Sequence, residues 1–134
     1  MAHVRAASKN TGVSVANCHP FKAGRLLFCH NGRIDSFIKV RRAMMNLLSD
    51  EAFVHVRGTT DSECVFALIL TYLGDGGETS PFTQTEPFGH KNLVGAIKKA
   101  FRTIEILVEE AGLNEGEHFS TLNFSLTDGD TSKS

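Results

Sequence analysis

Hydrophobic positions along the chain switch between two periods. From Arg25 to His30 the run RLLFCH is short and apolar and is closed by Asn31-Gly32, which predicts a buried strand ending in a tight turn. Phe37, Val40, Met44, Leu47 and Leu48 then recur at helical spacing, with Lys39, Arg41, Arg42 and Asn46 on the other side. This is the pattern of an amphipathic helix, with Asp35 placed to cap it. Ala52 to Val56 reads as a short strand closed by Gly58. Thr60 followed by Glu63 fits a capping box that opens a helix through about Leu73. That helix is apolar nearly all round, so it belongs between two layers.

Gly74 to His90, rich in Gly, Thr and Pro, reads as a long loop. Leu93, Val94, Ile97, Ala100, Phe101, Ile104, Leu107 and Val108 mark a third helix, with Gly112 as a left-handed stop. Phe119 to Thr127 alternates as a strand, Leu122, Phe124 and Leu126 on one face and Thr121, Asn123, Ser125 and Thr127 on the other. Asp128-Gly129 is a strong hairpin signal, yet only five residues follow it and none is apolar. Ala2 to Ala7 already reads as strand. The expectation is a central fragment, cut at both ends, whose outer strands lack partners.

Composition narrows the function classes. The chain has 134 residues, 41% hydrophobic and 22% charged, which suits one soluble domain with one core. A net charge of -1 with interspersed signs offers no attraction to polyanions, so neither nucleic acid nor a membrane surface is an expected partner. The longest apolar run, Cys64 to Leu70, is far short of the roughly 20 residues a membrane span needs. No signal-peptide pattern follows Met1, so a cytoplasmic location is expected. Cys18, Cys29 and Cys64 form no even-numbered framework and suit reduced thiols.

Three features carry candidate chemistry: the HVRAAS strand with Arg5, the FCHNG turn with Asn31 and Gly32, and the GTTDSE helix start with Asp61. Each has a plain structural reading as well. Arg5 suits a surface strand paired with a carboxylate, Asn31-Gly32 a simple turn, and Asp61 a favourable charge at a helix N-terminus. Cys18-His19 and Cys29-His30 invite a Cys/His nucleophile, but neighbours on a strand point to opposite faces, which weakens both pairs. A zinc site is disfavoured because close C-x₂₋₄-C and H-x₃₋₅-H pairs are missing. No metal or cofactor is expected.

Taken in order, HVRAAS, NCHPF, LFCHNGRI and GTTDSE resemble the glutamine-binding core of class II glutamine amidotransferases, which are N-terminal nucleophile hydrolases. The motif-bearing core runs from His3 to Ala67, and a weaker likeness continues to TLNFSLTDGD. Within the family, NCHPF, TDSECVFAL and NFSLTDGD are most similar to the amidotransferase subunits of fungal glutathione-degradation complexes. The resemblance implies an α+β fold, a fragment of the four-layer α/β/β/α architecture, with residues 1–134 as a partial type-2 domain. It also implies hydrolysis of a γ-glutamyl amide, glutamine or a glutathione-type substrate, through a cysteine thioester, and a partner subunit in such a complex.

Residue by residue, Arg5 resembles the arginine that holds the substrate α-carboxylate, where a planar fork suits bidentate pairing. Asp61 resembles the aspartate that takes the α-ammonium. Asn31, through its side-chain amide, and Gly32, through a backbone N–H free of a Cβ, resemble the oxyanion hole. Ser8 aligns with a position that contacts the bound glutamine. His19 lies in the matching NCHPF motif, where a pocket role and a backbone-bonded loop histidine both stay open. The family's nucleophile is an N-terminal cysteine whose α-amino group serves as base, whereas this sequence opens Met1, Ala2, His3. The alternative reading is a non-catalytic γ-glutamyl-binding or subunit-interaction module.

The expected outcome for the purified 1–134 polypeptide is therefore binding of a γ-glutamyl amide without hydrolysis. Thiol-dependent turnover that disappears in Cys18→Ala or Cys29→Ala would restore the internal-cysteine reading.

Overall fold

The longest apolar stretch organises the structure. In a computed structural model that describes residues 15–75, 77, 79–112, 120–130 and 132–133, the run around Cys64 to Leu70 lies in helix α3, Asp61–Gly74. Every residue of α3 from Asp61 to Leu70 is buried. A helix without a polar face needs cover on all sides. Strand β2, Leu26–Arg33, packs on one side, and α1, Phe37–Asn46, α2, Asp50–His55, and α4, His90–Glu110, pack on the others. Phe28 of β2 stacks on Phe66 of α3 with ring centroids 5.3 Å apart and planes within 2°.

The predicted capping box is half present. Thr60 Oγ1 accepts the Glu63 N–H at 3.2 Å, as its spacing requires. The Glu63 carboxylate does not return to Thr60; it accepts the Arg57 and Gly58 N–H groups instead, at 2.8 and 2.7 Å. Helix α4 follows its periodicity closely, burying Leu93, Ala96, Ile97, Ala100, Ile104 and Val108, and it stops before Gly112 at φ +67°.

The sheet is antiparallel in the order β1-β2-β3-β4, with β1 at Phe21–Ala23, β3 at Thr121–Thr127 and β4 at Ser132–Lys133. Phe21 pairs with Phe28, and β2 pairs with β3 from Leu27↔Thr127 to Arg33↔Thr121. Alternation along β2 turns Leu26, Phe28 and His30 to one face, where Phe28 and His30 meet α3. Leu27, Cys29, Asn31 and Arg33 take the other face, beside Thr127, Ser125, Asn123 and Thr121 of β3. Mixed helix and strand around one core agrees with the α+β class.

Four local expectations are corrected. Asn31-Gly32 is not a turn: β2 continues to Arg33 because β3 supplies pairing partners for both residues, Asn123 and Leu122. Ala52–Val56 is not a strand but the end of α2, which Ser49 caps by accepting the Ala52 N–H at 3.4 Å, with Asp50 and Glu51 in the first turn. Asp35 does not cap α1; Ser36 occupies that position at φ +49°, and the Asp35 N–H is donated to Ser120 Oγ at 3.0 Å. The Asp128-Gly129 signal does close a hairpin within the sequence, since Thr127 pairs with Ser132 and Leu126 with Lys133. The strand expected at Ala2 to Ala7 lies outside the described residues.

The loop before α4 is anchored to this hairpin. Asp128, buried, accepts the Phe88 N–H at 2.9 Å, and Arg25 Nε donates to the Asp128 carbonyl at 2.8 Å. Arg25 also donates to the Thr85 carbonyl.

Two kinds of side chain thus hold α3, and they should differ in cost. Phe66→Ala empties the stacked centre and is expected to lose about 3–5 kcal/mol, while Thr60→Ala removes one cap and should lose only about 1 kcal/mol. Urea unfolding of both variants checks this, and equal losses would contradict the central role of the Phe28–Phe66 stack.

Candidate active site

The first turn of α3 is polar yet buried, so its groups need partners inside the protein. Glu63, 5% exposed, takes the Arg57 and Gly58 N–H groups and pulls the chain before the helix into a tight curve. Asn17 closes this curve from outside, accepting the Thr59 N–H at 3.0 Å and donating to Thr59 Oγ1 at 3.4 Å. Gly58 leaves room for both: a Cβ there would sit 2.3 Å from Asn17 Oδ1 and 2.8 Å from Glu63 Oε2. Arg41 of α1 donates to the Gly58 carbonyl at 3.4 Å.

This clamp delivers Asp61, which is 7% exposed. Its Oδ2 accepts the Ile34 N–H at 2.9 Å; its Oδ1 accepts the Ser62 N–H at 2.8 Å and the Ser62 hydroxyl at 3.3 Å. A carboxylate has about four lone-pair sites, so these three donors leave room for one more. Asp61 therefore joins the first turn of α3 to the end of β2, and the helix N-terminus favours its negative charge.

His30, 2% exposed, faces the same turn, with Nδ1 2.8 Å from Ser62 Oγ. Its ring lies 6.3 Å from that of Phe28, at 21°. Asn31 follows with an exposed side chain on the opposite face of β2. Gly32 was expected to lack a Cβ so that a substrate could approach its N–H. The structure adds a reason within the fold, because a Cβ would stand 2.0 Å from the Thr121 carbonyl of β3.

The sequence-predicted residues are thus only partly assembled among the described residues. Asp61 and the Asn31-Gly32 segment are neighbours through Ile34. Arg5 and Ser8 lie outside the described residues. His19, half-buried, precedes β1 and packs edge-on against Phe21 at a centroid distance of 4.7 Å. Sequence reasoning missed Ser62, Glu63 and Asn17 as parts of this arrangement and considered His30 only beside Cys29. The available signal was the motifs themselves, since His30 stands inside FCHNG and Ser62 and Glu63 inside GTTDSE.

The buried cysteines do not have the character of nucleophiles. Burial pushes the Cys29 thiol up, and burial pushes Cys64 up to about 11 against the opposing pull of the Arg41 guanidinium. A thiol that resists ionisation attacks poorly at neutral pH. Among the described residues no three His, Cys, Asp or Glu side chains converge as a metal site. No helix among them is long and apolar enough to cross a membrane.

The sequence profile of the class II glutamine amidotransferases matches residues 1–130. The chain belongs to this family. The probable glutamine amidotransferase DUG3 of Saccharomyces cerevisiae is 40% identical over 131 residues, covering 97% of this chain and 36% of the yeast protein. The glutamine–fructose-6-phosphate aminotransferase (isomerizing) of Gluconobacter oxydans is 41% identical over 63 residues, 46% of this chain and 9% of that one. Among solved structures, a glutamine aminotransferase class-II domain protein from Silicibacter pomeroyi superposes with a TM-score of 0.63 at 30% identity, over 87% of this chain and 46% of that one. The chain spans about a third of its yeast relative's length. The family match and the superposition agree with the sheet and helices described above.

Two outcomes test this geometry. Gly32→Ala should lose amide-exchange protection along β2 and β3 and unfold at lower urea, since the Thr121 carbonyl is backbone and cannot turn aside; unchanged protection would refute the close approach. The Cys64 thiol is raised from 9.0 to about 11 by folding. Below pH 9 both states keep their proton, and between about 9 and 11 the unfolded thiol ionises while the folded one does not. Stability should therefore fall as pH rises through that window, by on the order of 2 kcal/mol, and Cys64→Ala should remove that component of the slope.

Proposed function

We propose that this chain supplies the γ-glutamyl-binding and oxyanion-stabilising part of a class II amidotransferase that hydrolyses a γ-glutamyl amide, glutamine or a glutathione-type substrate. The observation that carries the reading is the buried Asp61 carboxylate, tied to Ile34 two residues beyond Gly32, in a chain the family profile matches over residues 1–130. The remaining acceptor site of Asp61 suits one hydrogen of a substrate α-ammonium, and Arg5 is the counterpart for the α-carboxylate. Asn31 and Gly32 serve the other end of the substrate. There a cysteine thiolate attacks the amide carbon, the carbonyl oxygen takes the negative charge, the amine leaves with a proton, and water cleaves the thioester to a free carboxylate.

Ser8 and His19 complete the proposed contacts to the substrate. The same reading makes the sheet one of two in a four-layer α/β/β/α fold and the protein cytoplasmic. A role in glutathione breakdown, with a partner subunit, is supported by the likeness in NCHPF, TDSECVFAL and NFSLTDGD.

The test joins the chain to an N-terminal segment beginning with cysteine and measures hydrolysis of glutamine and γ-glutamyl peptides. Arg5→Ala and Asp61→Asn are expected to lower kcat/KM by roughly 30-fold to several thousand-fold, as for a buried charge that loses its partner. Asn31→Ala should act mainly on kcat, by about 100-fold or more. Near-parental kinetics in all three variants would overturn the assignment of residues. Saturable binding with no turnover would favour the non-catalytic module.

A further inference from the structure

We infer that His30 and Ser62 are positioning residues that hold the ammonium-binding carboxylate of Asp61 and the oxyanion segment Asn31-Gly32 in one rigid unit, a role that rests on the proposed reading of Asp61. The direction of the hydrogen bonds follows from the chemistry of their ends. An ionised carboxylate only accepts, so at the 3.3 Å Asp61–Ser62 bond the serine O–H is the donor. Ser62 Oγ then offers a lone pair to His30 Nδ1 at 2.8 Å, which places a proton on Nδ1. The chain of donors runs from His30 through Ser62 to Asp61. All three side chains are buried, where such bonds are strong and their loss is costly.

The placement of these bonds along β2 gives them their function. His30 meets Ser62 immediately before Asn31-Gly32, and Ile34 meets Asp61 two residues after Gly32. The two bonds bracket the oxyanion segment and fasten both sides of it to the first turn of α3. The His30 ring also lies against Gly32, since a Cβ there would be 2.7 Å from Nε2. Ser62 acts on the carboxylate itself: its N–H and O–H both reach Oδ1 while Ile34 holds Oδ2, so the plane of the carboxylate is set from two sides. Without the hydroxyl, Oδ1 keeps only the Ser62 N–H, and the acceptor site left for an ammonium is less firmly directed.

The experiment is calorimetric binding to the 1–134 chain of L-glutamine and of 4-carbamoylbutanoate, the analogue lacking the α-ammonium. The parental chain should prefer L-glutamine. Ser62→Ala should weaken L-glutamine by about tenfold or more and leave the analogue unchanged, because the Asn31-Gly32 donors act on charge that develops only in turnover; His30→Phe, which keeps an aromatic ring beside Phe28 but has no Nδ1, should do the same. Ser62→Thr, which retains the hydroxyl, should keep the preference. A merely structural bond would weaken both ligands together, and that result, or no change in either, overturns the positioning role. If Asp61→Asn abolishes the preference while Ser62→Ala and His30→Phe keep it, only the positioning role fails. If Asp61→Asn keeps the preference, or the parental chain has none, the reading of Asp61 fails and the proposal with it. Circular dichroism and thermal melts confirm that each variant is folded.

Discussion

A helix that is apolar on every side must be enclosed, and its first turn is enclosed with it. In α3 the enclosure carries Asp61, Ser62 and Glu63 into the interior together with seven apolar residues that follow. An isolated buried carboxylate would cost several kcal/mol, so each has to be met by donors within the fold. Glu63 is met by two backbone N–H groups of the preceding loop, and Asp61 by the N–H of Ile34 and both donors of Ser62. The polar network at the helix start is a consequence of burying the hydrophobic run behind it.

The same requirement places the candidate site. Ile34 is the residue at which β2 has ended and its backbone N–H is available, so the carboxylate of Asp61 is drawn to the strand end. His30, on the α3 side of β2, is drawn to Ser62 in the same way. Asn31 and Gly32 are left between these two attachments, held by the β3 ladder on one side and by the helix start on the other. A segment held by the ladder and by both attachments has little freedom to reorganise, which suits the proposed role of stabilising developing charge.

The clamp around Gly58 links this region to the rest of the molecule. Asn17, Arg41 and Glu63 come from a short turn, from α1 and from α3, and all converge on residues 57–59. Gly58 is the only residue type that fits between Asn17 and Glu63 without moving one of them. On the opposite side, the Arg25–Asp128 contacts tie the loop before α4 to the end of the sheet. The core of α3, Phe28 and Phe66 thus has polar fastenings at both edges.

The sequence by itself determined the elements whose signals are repeated many times. Helix α4 was legible from eight periodic positions and its end from Gly112, the start of α3 from Thr60 and Glu63 and its burial from the apolar run behind them, and the family from four motifs in order. The remainder was decided by tertiary structure because it depends on partners distant in the chain. Asn31-Gly32 carries a strong local turn signal, but seven residues of β3, some ninety positions away, supply ladder partners that outweigh it. Ala52–Val56 alternates over too few residues to separate strand from helix, and Ser49 with the acidic turn after it settled the matter. That Asp61 would accept from Ile34, or that His30 would face Ser62 instead of a cysteine, could not be read from spacing. Hydrogen-bond partners of buried groups are chosen only when packing has removed the water that would otherwise serve.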